Sequence, residues 1–216
     1  MQTLTKAIID AGWSNKVVTE TQLARLLDGT PQRRHNLVNR ALYQNEVISL
    51  SRGRYLLKPA LLNHASIHPF VLAQTLRPGS YISFESALTF HGWIPEATQA
   101  TLAVVPSRRK HEMTHPLFGR FQFFPLALQP GFFLEGVDRH LLNHQAALIA
   151  QPLRALLDWL CLRKQNHAER DFLERSLRIE PELFNAIKKA DLKKLLPVYQ
   201  HQRMQNLIHT MYTLRG

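Results

Sequence analysis

The sequence predicts an α+β protein, because three parts of the chain carry different patterns of apolar residues. Residues 1–60 alternate short amphipathic helical segments with a hairpin pattern. The middle holds short apolar runs between turn residues, such as Thr101–Pro106 and Phe121–Phe124, which predict a small, mostly antiparallel sheet. From Pro152 onward, leucines recur at helical spacing. We therefore expect two domains, residues 1–60 and residues 61–216, the second of which is mixed α/β and ends in a helical part.

The net charge of the chain favours a polyanionic partner. The 216 residues carry a formal net charge of +11. Residues 1–62 hold nine Lys and Arg against four Asp and Glu, residues 63–150 hold six against five, and residues 151–216 hold twelve against seven. The positive charge is thus concentrated at the two ends of the chain. Such a charge attracts nucleic acid through counterion release, although it also serves solubility.

Several classes of protein are disfavoured by the sequence. No run of eighteen or more apolar residues is present, so no membrane span is expected. The first residues lack the basic start and apolar run of a signal peptide. The single cysteine, Cys161, excludes an internal disulfide and suits a reducing compartment. We therefore expect a cytoplasmic protein without a membrane partner.

The most informative stretch is Thr30–Tyr43, which predicts an amphipathic helix. Thr30 suits the N-cap, and Pro31 suits the first helical position. Leu37, Val38, Ala41 and Leu42 fall on one face. The opposite face collects polar side chains suited to DNA, since amides bond adenine edges and guanidinium groups bond guanine or phosphate. These are Gln32, Arg33, Asn36, Asn39, Arg40 and Tyr43, with Arg34 nearer the apolar side.

The segments on either side complete a DNA-binding pattern. The preceding helix is capped by Thr19 or Thr21 and ends at Leu27. A short turn at Asp28-Gly29 joins it to the Thr30–Tyr43 helix. Glu46–Leu57 predicts a hairpin whose tip carries Arg52 and Arg54. Arginines at a hairpin tip can contact phosphates or the minor groove, and they also suit a solvated turn. Together these segments predict a winged helix-turn-helix that binds double-stranded DNA.

Other polar motifs give weaker indications. Arg108, Arg109 and Lys110 form a basic turn that is either a secondary DNA or partner contact or simply a solvated surface. His111–His115 reads HEMTH and so matches the zinc-protease pattern HExxH, which requires a helix. It follows a turn and precedes Pro116, so we expect a loop. The pairs His64/His68 and His140/His144 have no cysteine nearby, and no metal or other cofactor is expected.

The remaining elements are predicted from local patterns. His64–Leu76 and Ser83–His91 predict helices, and Phe132–Leu134 and Ala146–Ala150 predict strands. The helix that starts at Pro152 has Leu153, Leu156, Leu157 and Leu160 on one face. Later helices are predicted at Ala168–Leu177, Pro181–Lys189, Leu192–Leu196 and Val198–Tyr212.

Three segments resemble a known family. They are SRGRYLL at 51–57, YISFESALTFHGWIPE at 81–96 and AALIAQPLRALLDWL at 146–160. Together they are similar to the AbiEi-type antitoxins of type IV toxin–antitoxin systems, which are bacterial transcriptional regulators. The resemblance implies that residues 1–60 bind operator repeats and repress their own operon. It also implies that the larger domain counteracts a nucleotidyltransferase toxin, as part of phage defence.

Two other functions compete with a repressor and antitoxin. The chain could be a solitary winged-helix transcription factor whose C-terminal domain binds a ligand or another protein. It could also be an enzyme targeted by its first domain, which we rank last because candidate catalytic residues are scattered in the sequence. No catalytic residue is therefore predicted.

Overall fold

The structure is a computed structural model that describes residues 4–58, 67–96, 98–165, 175 and 177–213. It is a mixed α+β structure with two sheets, which confirms the predicted class. The chain divides into two compact units, Met1–Leu76 and Arg77–Gly216. The predicted domain boundary, between residues 60 and 61, lies outside the described residues.

The first unit combines short helices with a three-stranded sheet. In chain order its elements are α1 (Leu4–Asp10), β1 (Val18–Thr19), α2 (Glu20–Leu26), α3 (Pro31–Tyr43), β2 (Val47–Ser51), β3 (Arg54–Leu57) and α4 (Pro69–Leu76). The strand order is β1-β3-β2, and both pairings are antiparallel. Strand β1 was not predicted, because it has only two residues and no hydrophobic alternation. The described part of the predicted His64–Leu76 helix begins only at Pro69.

The core of the first unit lies between its helices and one face of the sheet. Helix α2 starts with a capping box, in which Thr19 and Gln22 each bond the other's backbone N–H. Helix α3 turns Val38 and Ala41 into the core. Val38 and Ala41 pack there in one cluster with eight other buried side chains, namely Leu4, Ala7, Ile8, Val18, Leu23, Leu27, Val47 and Leu57. Burial of this apolar surface holds α3 in place.

The second unit is built around a six-stranded sheet. Its elements are β4 (Tyr81–Ile82), α5 (Phe84–Phe90), β5 (Ala100–Val105), β6 (His111–His115), β7 (Gly119–Pro125), β8 (Val137–Leu142), β9 (Gln145–Ala150), α6 (Pro152–Leu162), α7 (Pro181–Asn185), α8 (Lys189–Leu195), a 3₁₀ turn (Leu196–Val198) and α9 (Gln202–Thr213). The strand order is β6-β7-β5-β4-β9-β8. Three pairings are antiparallel, whereas β4–β9 and β5–β7 are parallel, so the sheet is mixed.

One predicted strand of the second unit is wrong, and one predicted helix falls on residues that the structure mostly does not describe. Phe132–Leu134 is not a strand: successive turns run from Gln129 to Val137, with bonds such as Glu135 N–H to the Phe132 carbonyl at 3.2 Å. The strand instead follows at β8, whose polar residues masked it in the sequence. The predicted helix at Ala168–Leu177 lies almost wholly outside the described residues.

Helix α6 packs against β9 and α5 and is buried on nearly every side. Its leucines face the core as predicted, but Arg154 and Asp158 are also fully buried. Their side chains are paired, with the Arg154 Nε atom 2.9 Å from the Asp158 Oδ1 atom. The helix therefore carries an ion pair inside the second unit.

None of the helices in the described ranges has both the length and the apolar character needed to cross a membrane.

Candidate nucleic-acid interface

Local interactions fix the start of helix α3. The Thr30 hydroxyl oxygen accepts a hydrogen bond from the Arg33 backbone N–H at 3.3 Å, as the N-cap prediction requires. Pro31 follows at the first helical position. No acidic residue lies in the first turn. The positive end of the helix dipole is therefore left without a nearby carboxylate of its own helix.

The end of helix α3 is fixed by a left-handed residue. Asn45 has a φ of 55°. Its N–H donates to the Leu42 carbonyl at 3.0 Å, and the Glu46 N–H donates to the Ala41 carbonyl at 2.9 Å. This pair of bonds is the Schellman motif, with asparagine where glycine is commonest. The chain is thereby turned directly from α3 into β2.

The outer face of α3 is polar and exposed. Gln32, Arg33, Asn36, Asn39 and Arg40 are all exposed, and Tyr43 is 89% exposed. The Gln32 side-chain amide donates to the Asn36 Oδ1 atom at 3.2 Å, which links two neighbouring turns. This face offers amide, guanidinium and phenol groups on a helix whose other face is held in the core. Such groups can bond the edges of bases and phosphate oxygens.

Arg33 and Arg34, at the start of α3, lie beside the connection between α2 and α3. Arg34 is half-buried, and its Nη1 atom donates to the Gly29 carbonyl at 3.0 Å. The Arg33 side chain passes over Gly29, where an added Cβ atom would lie 2.9 Å from the Arg33 Cδ atom. Gly29 also has a φ of 102°. Arg34 therefore braces the turn and stands apart from the exposed face, in agreement with its position on the helical projection.

The hairpin tip is tied to the start of helix α2. Gly53 takes a φ of 70°, and its carbonyl accepts the Glu20 N–H at 2.9 Å. Arg52 at the tip is exposed, whereas Arg54 is half-buried and its strand position pairs with Thr19 of β1. The tip is thus held against the junction of β1 and α2, and Arg52 is the more accessible of the two predicted wing arginines.

The basic turn of the second unit is partly neutralised. Arg108, Arg109 and Lys110 are exposed. The Lys110 Nζ atom lies 3.6 Å from the Glu112 Oε2 atom and 5.0 Å from the centre of the Phe124 ring. Lys110 therefore has partners within the unit, and the structure gives this turn no specific geometry for a ligand.

The HEMTH segment forms strand β6, so its predicted loop is wrong. Residues alternate along a strand, and Glu112 therefore points to the opposite face from His111 and His115. Glu112 accepts bonds from Gln122 and Arg120, which lower the pKa of its carboxyl. The helical geometry of a zinc protease is absent from this segment. Among the described residues, no three or more His, Cys, Asp or Glu side chains are grouped to hold a metal.

The sequence did not indicate a groove that is lined by arginines. Arg120, Arg163, Arg175 and Arg178 line a cavity of about 700 Å³ beside Trp159. Three of the four are paired with carboxylates: Arg120 with Glu112, Arg163 with Glu85 at 3.2 Å, and Arg178 with Glu96 at 2.8 Å. The residues come from separate segments of the chain, so no spacing rule could have grouped them.

No model of a protein family matches the chain, and no curated protein matches it. The function is therefore inferred from the geometry of residues 4–58 and from the resemblance of the three segments quoted above.

Proposed function

We propose that the chain is a transcriptional repressor whose first unit is a winged helix-turn-helix that reads double-stranded DNA. The observation that carries the proposal is the outer face of α3, where exposed amides and guanidinium groups stand on a helix whose opposite face packs in the core through buried Val38 and Ala41 and partly buried Leu37 and Leu42. A helix in the major groove needs this combination of a rigid seat and outward hydrogen-bonding groups.

The order of the elements supports the proposal. A turn of a few residues joins α2 to α3, and the β2–β3 hairpin follows α3 directly. Strand β1, between α1 and α2, adds to the hairpin through β3 and so supports its base. In this arrangement α3 is the recognition helix and the hairpin tip is the wing.

Each exposed group has a distinct proposed role. Asn36 and Asn39 read base edges, because a side-chain amide can bond adenine in a bidentate manner. Arg40 bonds guanine or phosphate, and Arg52 holds the wing on the DNA backbone. The proposed contact surface also includes Thr30, Gln32, Arg33, Tyr43 and Arg54. Arg34, which braces the turn at Gly29, contacts phosphate from the first turn of the helix rather than from the outer face. One such module reads few bases, so we expect paired operator half-sites in the promoter of its own operon.

We also propose that the second unit is an antitoxin against a nucleotidyltransferase toxin encoded in the same operon. The support is the resemblance of residues 81–96 and 146–160. The two segments contact each other in the second unit. The hydroxyls of Tyr81 and Ser83 donate to the Asp158 carboxylate at 2.9 and 2.7 Å, and the Trp159 indole N–H donates to Glu85 at 2.8 Å. The residues of the resemblance thus pack as one structural element.

A reporter assay tests the repressor role in cells. The DNA upstream of the chain's own gene is fused to a reporter, and the full chain is expressed beside it. The wild-type chain should repress the reporter, and the combined Asn36→Ala, Asn39→Ala and Arg40→Ala variant should not, because base contacts are lost. Asn206→Ala and Arg139→Ala, exposed positions in the second unit, are matched controls. Equal repression by the triple variant would contradict the assigned face.

Co-expression with the neighbouring nucleotidyltransferase gene tests the antitoxin role. Both the wild-type chain and the triple variant should restore growth, since the variant changes only the first unit. Repression without any rescue of growth would contradict the antitoxin role and favour a solitary transcription factor.

A further inference from the structure

A cavity of about 330 Å³ lies in the second unit, far in sequence from the residues proposed to bind DNA. Its apolar lining includes Leu153 of α6, Ile187 after α7 and Leu195 of α8, which are 7%, 8% and 3% exposed. Trp93 also lines it. A volume of this size accommodates a small organic molecule.

One wall of the cavity is held rigidly at Gly136. This residue has a φ of 69°, and an added Cβ atom would lie 3.0 Å from the Leu195 Cδ2 atom and 3.2 Å from the Arg154 Cβ atom. Its carbonyl accepts the Gln151 N–H at 2.9 Å. The Gln151 side-chain amide donates to the Asp138 Oδ2 atom, also at 2.9 Å. The segment before β8 and the start of α6 are therefore joined, and the hydrogen bond from Gln151 orients the exposed Asp138 carboxylate.

The polar lining of the cavity is acidic, although the chain as a whole is strongly basic. Glu135, Asp138 and Asp191 all contribute carboxylates. Among the lining residues, Lys194 is the one lysine or arginine, and its Nζ atom lies 4.0 Å from the Asp191 Oδ1 atom. His91 also lines the cavity. Its Nε2 atom donates to the Ala150 carbonyl at 3.0 Å, and burial lowers the pKa of its imidazole, so it adds no charge at pH 7.

We propose that this cavity binds a small organic cation, namely an amine with an apolar body. The apolar wall would contact the body of the ligand, and the carboxylates would pair with its ammonium group. An anionic ligand would face three carboxylates. A bare metal ion does not suit the cavity, because no three ligating side chains are grouped for one among the described residues. The proposal does not depend on DNA binding.

Three probes of nearly equal shape and different charge test the ligand class on the full chain. They are 2-phenylethylamine, 2-phenylethanol and phenylacetate, measured by isothermal titration calorimetry and by NMR of the tryptophan indole N–H signals. The amine should bind with a Kd in the millimolar range or tighter, at least about fivefold more tightly than the alcohol, and phenylacetate should bind least. The Trp93 signal should move, and the Trp13 signal should not.

Two variants locate the binding. Combined Asp138→Asn and Asp191→Asn changes should weaken amine binding about tenfold and remove most of its salt dependence. Glu182→Gln is the matched control, because Glu182 is exposed in α7 and does not line the cavity. Equal affinity for the three probes, binding unaffected by the double change, or no binding of the amine at about 10 mM would each overturn the proposal.

Discussion

At the scale of single residues, the ion pair of Arg154 and Asp158 is the arrangement that would cost most stability if one partner were lost. Both side chains are completely buried, where an unpaired charge would be costly. Asp158 accepts bonds from Arg154, Tyr81, Ser83 and Tyr199 at 2.7–2.9 Å. Burial raises the pKa of both tyrosines, and the neighbouring Asp158 carboxylate raises it further. Both phenols therefore remain protonated donors.

Replacing Asp158 by alanine tests this arrangement. The variant leaves the Arg154 guanidinium buried without its counterion, so the free energy of unfolding should fall by about 3–5 kcal/mol. Urea unfolding followed by circular dichroism measures the change. Glu112→Gln, which breaks the exposed pair with Arg120, is the control variant. It should shift the urea concentration at the unfolding midpoint much less than Asp158→Ala does. Equal shifts for the two variants would show that Asp158 does not stabilise the second unit as described.

Cys161 provides a second test at this scale. Burial raises the pKa of its thiol to about 11, so the reactive thiolate is scarce near pH 8. A chromogenic disulfide reagent should label the native protein at pH 8 much more slowly than the protein in urea. The unfolded protein is its own control. Similar labelling rates in the two states would mean that Cys161 is accessible in the native structure.

The exposure of α3 could be predicted residue by residue, whereas the buried pair could not. A helical projection needs only the spacing of Leu37, Val38, Ala41 and Leu42 to separate the two faces. The same projection makes Arg154 and Asp158 the polar face of α6. They are buried because Tyr81 and Tyr199, which are remote in sequence, supply their partners.

At the scale of elements, caps and turns explain where the helices begin and end. Thr19 and Thr30 cap α2 and α3, because each hydroxyl oxygen accepts a backbone N–H of the first turn. Gly53 permits the tight hairpin turn through its positive φ. These signals are local, so the sequence contains them in full. Strand β6 was missed because it is paired on one side only, with β7, and carries polar residues on both faces.

The end of α3 yields a prediction about the junction with the hairpin. Asn45 lies in the left-handed region, which alanine adopts at a cost of about 1 kcal/mol. Asn45→Ala should therefore lower the free energy of unfolding by about 1 kcal/mol, whereas Asn45→Gly should leave it nearly unchanged or raise it. Thermal unfolding followed by circular dichroism compares the two. A loss of the same size in both variants would indicate that the asparagine side chain, and not its backbone angle, matters.

At the scale of the whole molecule, composition and pattern predicted an α+β chain with a basic first part. They did not predict the strand order of the larger sheet, because pairings such as β4 with β9 join residues that are far apart in sequence. The acidic cavity and the arginine groove were missed for the same reason. Both are assembled from segments that meet only in the folded second unit.

The division into two units agrees with two separable roles. The proposed DNA contacts of α3 and the hairpin lie within residues 30–54, whereas the cavity and the buried ion pair lie within Arg77–Gly216. Changes on the outer face of α3 should therefore affect DNA binding without changing the core of the second unit.

The most direct test of the central claim is a titration of the full chain with labelled DNA, followed by fluorescence anisotropy at several salt concentrations. One duplex is the region upstream of the gene, and the other is an unrelated sequence of equal length. The wild-type chain should prefer the upstream duplex. Asn36→Ala with Asn39→Ala should remove most of that preference, at about 1–3 kcal/mol for each lost contact, with little change in salt dependence. Arg52→Ala should instead weaken binding to both duplexes, and it should reduce the slope of log affinity against log salt concentration by about one. An unchanged preference in the double variant would contradict recognition through the outer face of α3.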